Sequence, residues 1–318
     1  MRWPVFAHRI PETAPSVAPP SAALQAVWQL GGHLPALAPD RLPAAVHLPG
    51  DQRAVRLGQG MDFEQLRPYQ AGEPANRIDW RISARGQVPM VRIFREPAQR
   101  QCHLLLDTAA SMLFGTRQQL KITQALLVGQ LLTAAALQQN LAVSLHTPGI
   151  PSLPDRHPST QRAQLLHRWQ AIASALDTGS GGDIDWPGLR GRLYAQVPPG
   201  QILIVLGDFL TDTATDPALM GWVPLASRHR LILVSLYDPA EVHLPDVGRA
   251  TFVGHPTPQR VNTHDPALRA RLTAQFDARQ QALTALAQST QGHHVAIPTT
   301  LNPEGLLTAF SDALAVSA

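Results

Sequence analysis

Two apolar runs constrain this chain more than any other feature, because each stops on an aspartate. Residues 102–106 (Cys102-His103-Leu104-Leu105-Leu106) lead into Asp107-Thr108-Ala109-Ala110-Ser111, and residues 202–206 lead into Gly207-Asp208. Uninterrupted apolar runs of this length, each followed by a helical pattern, predict strands buried on both faces of a parallel sheet. Open α/β sheets bind ligands outside the carboxyl ends of such strands. Asp107, Ser111 and Asp208 are therefore expected to converge there, and their oxygens suit Mg2+, Ca2+ or Mn2+. Two carboxylates that meet without a cation repel, and one of them then holds its proton.

The pattern from residue 99 onward alternates strand and helix. Strands are expected at 104–107, 141–146, 202–206, 231–236 and 294–297. Helices are expected at 117–139, 161–176, 186–196, 217–227, 266–288 and 304–314, with a loop or hairpin over 239–262. This order predicts an α/β fold: a doubly wound, mostly parallel sheet with helices on both faces. Ahead of it, residues 1–50 read as a disordered or extended region rich in Pro and Ala, with a short helix at 22–30. Residues 51–98 form an arginine-rich segment that ends in a strand at 89–94. Residues 99–318 make the main domain.

Composition narrows the classes. A formal net charge of +3 with pI near 9.6 is too small an excess to imply nucleic acid, and 5% aromatic residues offer no evident stacking surface. Lys121 is the sole lysine among 26 basic residues. Cys102, the single cysteine, cannot form an internal disulfide and lies in an apolar run, as an inert buried thiol would. The N-terminus lacks a signal-peptide pattern, and no run is long enough for a membrane span. The expected location is the cytoplasm, peripheral to a membrane only through a partner.

Residues 67–85 contain Arg67-Pro68-Tyr69-Gln70-Ala71-Gly72-Glu73, then Arg77-Ile78-Asp79-Trp80, then Ala84-Arg85. This resembles the signature of the bacterial "domain of unknown function 58" family: Arg-x-Tyr-x-x-Gly-acid, Arg-x-Ile-Asp-Trp, Ala-Arg. Three further segments resemble the family in the expected order. Asp107 to Met112 stands where the family has Asp-x-Ser-x-Ser-Met, Gly207-Asp208-Phe209 where it has Ser-Asp-Phe, and Asp238-Pro239-Ala240-Glu241 resembles its Asp-Pro-x-Glu.

The resemblance implies a von Willebrand factor type A-like domain with a metal-ion-dependent adhesion site. It also implies a MoxR-type AAA+ ATPase as partner. Carried over by motif, the ligand set is Asp107, Ser111, Asp183 and Asp208 around Mg2+, or else Ca2+ or Mn2+. Two departures weaken that set. Ala109 stands where the first ligand serine belongs, and the second loop, Gly179-Ser180-Gly181-Gly182-Asp183-Ile184, lacks the usual threonine, leaving Asp183 or Ser180 to substitute.

Plainer readings stand beside these. Asp107, Ser111 and Asp208 also suit capping of the backbone that follows each strand. In the 67–85 segment, Arg67, Arg77, Asp79, Arg81 and Arg85 suit an ion-pair network with Trp80 as anchor. A recognition surface built on Arg67, Tyr69, Arg77, Asp79, Trp80 and Arg85 is the second reading. Asp238 and Glu241 read as a turn feature. His293 and His294 lack a third ligand and read as the start of a strand. No Gly-x-Ser-x-Gly elbow, P-loop or dinucleotide glycine pattern is present.

The expected function is a non-enzymatic, protein-binding adaptor with a partly degenerate metal site, which engages a MoxR-type ATPase, a client protein, or both. The alternatives are a metal-dependent hydrolase using Asp107 and Asp208, and a metal-free interaction scaffold.

Overall fold

The computed structural model describes residues 5–6, 17–37, 57–70, 78–84, 86, 88–95, 100–117, 119–150, 158–182, 184–210, 217–253 and 259–315. The chain divides into two compact units, residues 47–99 and residues 1–46 with 100–318. In chain order the strands are β1 (Val5–Phe6), β2 (Leu57–Pro68), β3 (Met90–Arg95), β4 (Gln101–Leu106), β5 (Ala142–His146), β6 (Ile202–Gly207), β7 (Arg230–Tyr237), β8 (Arg249–Val253), β9 (Gln259–Asn262) and β10 (His293–Pro298). The helices are α1 (Ser21–Leu30), α2 (Trp80–Ser83), α3 (Lys121–Gln138), α4 (Arg162–Asp177), α5 (Trp186–Gln196), α6 (Pro217–Met220), α7 (Val223–Ala226), α8 (Pro239–Val242), α9 (Pro266–Ser289) and α10 (Pro303–Ala315).

In the larger unit, five parallel strands form a sheet in the order β10-β7-β6-β4-β5. Counted along the chain within the sheet, that is 2-1-3-4-5, a doubly wound order that reverses direction between β4 and β6. The two faces follow from strand periodicity. Leu104, Leu106, Ile204, Leu206, Ile232, Val234 and Ile297 enter one core with α3, α4 and α10. Leu105, Leu203, Val205, Leu231 and Leu233 enter the other with α5, α7 and α9. In the 239–262 region, beyond α8, β8 and β9 pair antiparallel, and β1 from the N-terminal region adds to β8.

The N-terminal expectation needs correcting for residues 17–37. They belong to the larger unit, and α1 packs on α3. The reason lies in α3, which is predominantly apolar and buried from Lys121 to Ala136, so it requires cover on every side. Val27, Leu34 and Leu37 provide it. Polar side chains clip the segment down: Trp28 Nε1 donates to Gln130 Oε1 (3.0 Å), and the Gln139 amide bonds both Leu37 N (2.8 Å) and Pro35 O (3.1 Å).

The single helix expected at 217–227 is two short ones. Pro224 cannot donate a backbone hydrogen bond, so α6 cannot run on into α7. Gly221, between them, sits against the Arg190 guanidinium, where a Cβ would come within 2.6 Å of Cζ.

The smaller unit pairs β2 with β3 antiparallel, and Ile78, just ahead of α2, bridges to Val91 of β3.

Candidate functional site

Asp107 and Asp208 follow the two strands that flank the reversal in strand order. Register pairs Leu106 with Leu206, so Asp107 lies beside Gly207, and its N–H donates to Leu206 O (2.8 Å). A Cβ at position 207 would lie 3.0 Å from Asp107 Cβ and Oδ2, so glycine there lets the carboxylate lie close against β6. Both aspartates turn the chain in the same way, because a short carboxylate reaches its own backbone two residues on. Asp107 Oδ1 accepts from Ala109 N (3.0 Å), and Asp208 Oδ1 accepts from Leu210 N (3.1 Å). Phe209 follows with φ of +51°, an uncommon conformation for a bulky side chain and a local strain of about 1–2 kcal/mol.

The cation at this site is a side chain. Lys121, fully buried at the first position of α3, places Nζ 2.7 Å from Asp208 Oδ2 and 2.8 Å from Glu241 Oε1. A lysine at a helix N-terminus faces the positive end of the macrodipole, so this position is not favoured by the helix itself. The two carboxylates offset that penalty and the cost of burial. Burial alone would lift the Asp208 carboxyl, but the Lys121 charge and hydrogen bond, with bonds from Ser111 and Leu210, hold it below the usual carboxylate range. Burial likewise opposes the charge on Lys121, yet Asp208 and Glu241 hold it above the usual lysine range. Arg279 contributes a second positive charge near the same carboxylates.

Glu241 is held by its own motif. Asp238 caps α8 by accepting from Ala240 N (2.9 Å), and Glu241 Oε2 accepts from Asp238 N (2.9 Å), a capping box. Asp238 also accepts from Thr116 N (2.8 Å) and Thr299 Oγ1 (3.0 Å), so the loop before α3 and the loop after β10 tie to one buried carboxylate. The Asp-Pro-x-Glu segment is thus a buried junction and supplies a site residue. Sequence reasoning missed Lys121 and Glu241. The signal for the first was a sole lysine opening the most apolar helix.

The second loop packs on the first through glycine. A Cβ on Gly181 would come 2.7 Å from Thr108 O, and one on Gly149 would come 2.6 Å from Gly182 O and collide with Thr108 Oγ1. Ser180 Oγ pairs with Thr178 Oγ1 (3.2 Å) on the exposed rim. Asp183 lies outside the described residues.

Of the four residues expected to hold a metal, Asp107, Ser111 and Asp208 stand on the adjacent β4 and β6 loops, and Ser111 bonds Asp208 directly. Their oxygens do not fit a divalent cation as arranged. Asp208 is already engaged by Lys121, Ser111 and Leu210 N, and Ala109 offers no side-chain oxygen. Among the described residues no group of three or more His, Cys, Asp or Glu side chains is placed to hold a metal ion. Cys102 is buried and its thiol is pushed up to about 12 by desolvation, which keeps it inert. His293 and His294 open β10.

In the smaller unit, Asp79 is a helix cap. Its Oδ1 accepts from Arg81 N (3.0 Å) and Ile82 N (3.1 Å), and its N–H donates to Met90 O (2.8 Å). Ser83 Oγ donates to Asp79 O (2.7 Å) and accepts from Met90 N (2.8 Å). Trp80 is 65% exposed, and Val88, nearby in sequence, is also exposed. Tyr69 is half-buried, and its N–H donates to Pro89 O (2.8 Å). Arg77, Arg85 and the Arg67 side chain lie outside the described residues.

The chain is 26% identical over 215 residues to the uncharacterized protein Mb1516 of Mycobacterium bovis and equally to Rv1480 of Mycobacterium tuberculosis. Each match covers 65% of this chain and 64% of the relative. Among solved structures it is similar to a conserved hypothetical protein, BatB, from Bacteroides thetaiotaomicron, with 14% identity and a TM-score of 0.41 over 69% of this chain and 98% of that one. The family model "Protein of unknown function DUF58" matches residues 65–282. That span includes the whole 67–85 signature, both strand-end aspartates, Lys121 and the Glu241 capping box, and the chain belongs to the DUF58 family.

Proposed function

We propose that the chain is a non-enzymatic protein-binding module of von Willebrand factor A-like architecture. It presents the loops at the carboxyl ends of β4 and β6 to a protein partner in the cytoplasm, with a MoxR-type AAA+ ATPase acting on the same client in a chaperone-like or assembly role. Among the described residues no helix is long and apolar enough to cross a membrane.

The observation that carries the reading is the 110–113 turn. It stands beside Asp107 with Ala110 exposed and Leu113 38% exposed, above buried, mutually satisfied charges. An apolar rim over a fixed polar floor suits docking, because the rim loses water on contact while the floor already has its partners. Trp80 and Val88 offer a second apolar surface on the smaller unit. The hydrolase alternative would need Asp208 to release Lys121 and take up metal.

The test is capture of the MoxR-type ATPase by purified chain in ATP, ADP, Mg2+ and EDTA, comparing wild type with Leu113→Asp and Asp208→Ala. Retention by wild type and loss in Leu113→Asp supports the reading. Failure of wild type to retain the ATPase or a client in any nucleotide state sinks it.

A further inference from the structure

We propose that Arg230 anchors an oxyanion-binding site at the amino end of β7, one that takes a carboxylate or a phosphate. The site lies at the opposite end of the sheet from Asp107 and Asp208, and it does not rest on the partner reading. The first observation is an unbalanced charge. Arg230 is only 8% exposed, and arginine is almost never buried that far without a paired anion. Lys121 and Arg279 both face Asp208 and Glu241. Among the described residues no carboxylate pairs with Arg230. Burial pulls its guanidinium below the ordinary arginine range, and no acid offsets that pull.

The second observation is how the guanidinium spends its donors. Nη2 lies 2.6 Å from His293 Nε2. A guanidinium only donates, so Nε2 accepts, and His293 Nδ1–H donates to Ala313 O (2.9 Å). His293 is thereby held neutral and supplies no counter-charge. Nε is buried without a partner, while Nη1 makes no bond and is not sealed from water. Two donors in one fixed plane are therefore left for oxygens arriving from outside, the geometry that suits carboxylate and phosphate. The third observation is His229, which is 2% exposed with neither ring nitrogen bonded. Either neutral tautomer carries one N–H that needs an acceptor. The backbone holds both residues in place: His229 N donates to Leu225 O (2.9 Å) and Arg230 N to Gln201 O (2.9 Å). Two consecutive residues thus keep unspent donors at one strand end. Water could supply the acceptors, but only an anion also supplies the missing charge.

The experiment follows Tm of the full-length wild type and of Arg230→Gln in dilute HEPES at neutral pH, titrated with sodium phosphate, sodium acetate or sodium chloride at matched ionic strength. Wild type is expected to gain Tm saturably in phosphate, acetate or both, by roughly 5 °C at a hundredfold excess over Kd. Arg230→Gln is expected to follow its chloride curve in all three salts. A wild-type response to phosphate alone assigns the site to phosphate, and one to acetate alone assigns it to carboxylate. Wild type that tracks its chloride curve in both salts overturns the proposal. So does an Arg230→Gln protein that gains Tm as wild type does. If Arg230→Gln does not fold, nitrogen-15 NMR of the wild-type Arg230 Nε–H decides. A shift with phosphate or acetate but not with chloride supports the site, and a resonance unmoved by all three rejects it.

Discussion

Lys121 Nζ and Asp208 Oδ2 lie 2.7 Å apart, both buried, joining the first turn of α3 to the loop after β6. Removing one partner of a buried pair leaves the other charge uncompensated, at a cost of about 3–5 kcal/mol. Lys121→Met is therefore expected to lower the free energy of unfolding by that amount. Lys121→Arg is expected to lower it too, since the guanidinium fork does not fit between two single oxygens. Urea unfolding of the three proteins checks both outcomes.

Acid is expected to weaken the fold in two stages. Burial pushes His229 and His294 down to about 4 from an ordinary 6.5. Their unfolded forms therefore bind protons that the folded forms refuse, and stability falls as pH drops from about 6.5 towards 4, by at most about 1.4 kcal/mol per pH unit for each histidine. Asp208 is held below 3.8, so its contribution is present above that value and is lost as pH falls further. Lys121 acts at the other end: its contribution is complete below 10.5 and is lost as pH rises through its raised value. Melting temperatures across pH 4–8 check the first stage, and His229→Gln should flatten the slope.

The tautomer of His294 is fixed by its neighbours and is separately measurable. Ser235 Oγ spends its one hydrogen on Gln280 Oε1 (3.0 Å), so it accepts from His294 Nε2 (2.8 Å). Nδ1 then accepts from Thr284 Oγ1 (2.9 Å). Nitrogen-15 NMR at neutral pH is expected to show the neutral Nε2–H form. A protonated ring at that pH would contradict both the geometry and the acid slope.

The parallel sheet was legible because β4, β6 and β7 are buried on both faces and so write continuous apolar runs. Asp107 and Asp208 were legible as residues ending two such runs. Lys121 was not, because sequence shows a lysine at a helix start, a place usually solvated, and its two acceptors lie 87 and 120 residues away. Glu241 was hidden for a related reason: its capping box reads as a complete local explanation. The helix at 22–30 was legible, but its flanks at 17–20 and 31–37 were not, because their composition is that of a linker while Val17, Leu34 and Leu37 pack into the core built on α3.

Gly149→Ala is expected to part the two loops of the site. The new Cβ would meet Gly182 O at 2.6 Å and collide with Thr108 Oγ1, and backbone cannot yield as a side-chain tip does. Overpacking of this kind costs about 1–3 kcal/mol. Adding Thr108→Ala removes the second collision only, so partial recovery is expected. A single mutant as stable as wild type in urea would show that the loops part freely.

Leu37→Ala tests whether the N-terminal segment is part of the cooperative unit. Leu37 is fully buried in the core built on α3, and its N–H donates to Gln139 Oε1, the residue that ends that helix. Truncating a buried leucine costs about 2–5 kcal/mol where the surroundings cannot collapse into the gap. If residues 17–37 unfold with the sheet, the urea midpoint falls while the slope of the transition stays the same, because the surface exposed on unfolding is unchanged. A segment that detaches on its own would leave the midpoint of the main transition at its wild-type value, since Leu37 would already be in water when the sheet unfolds.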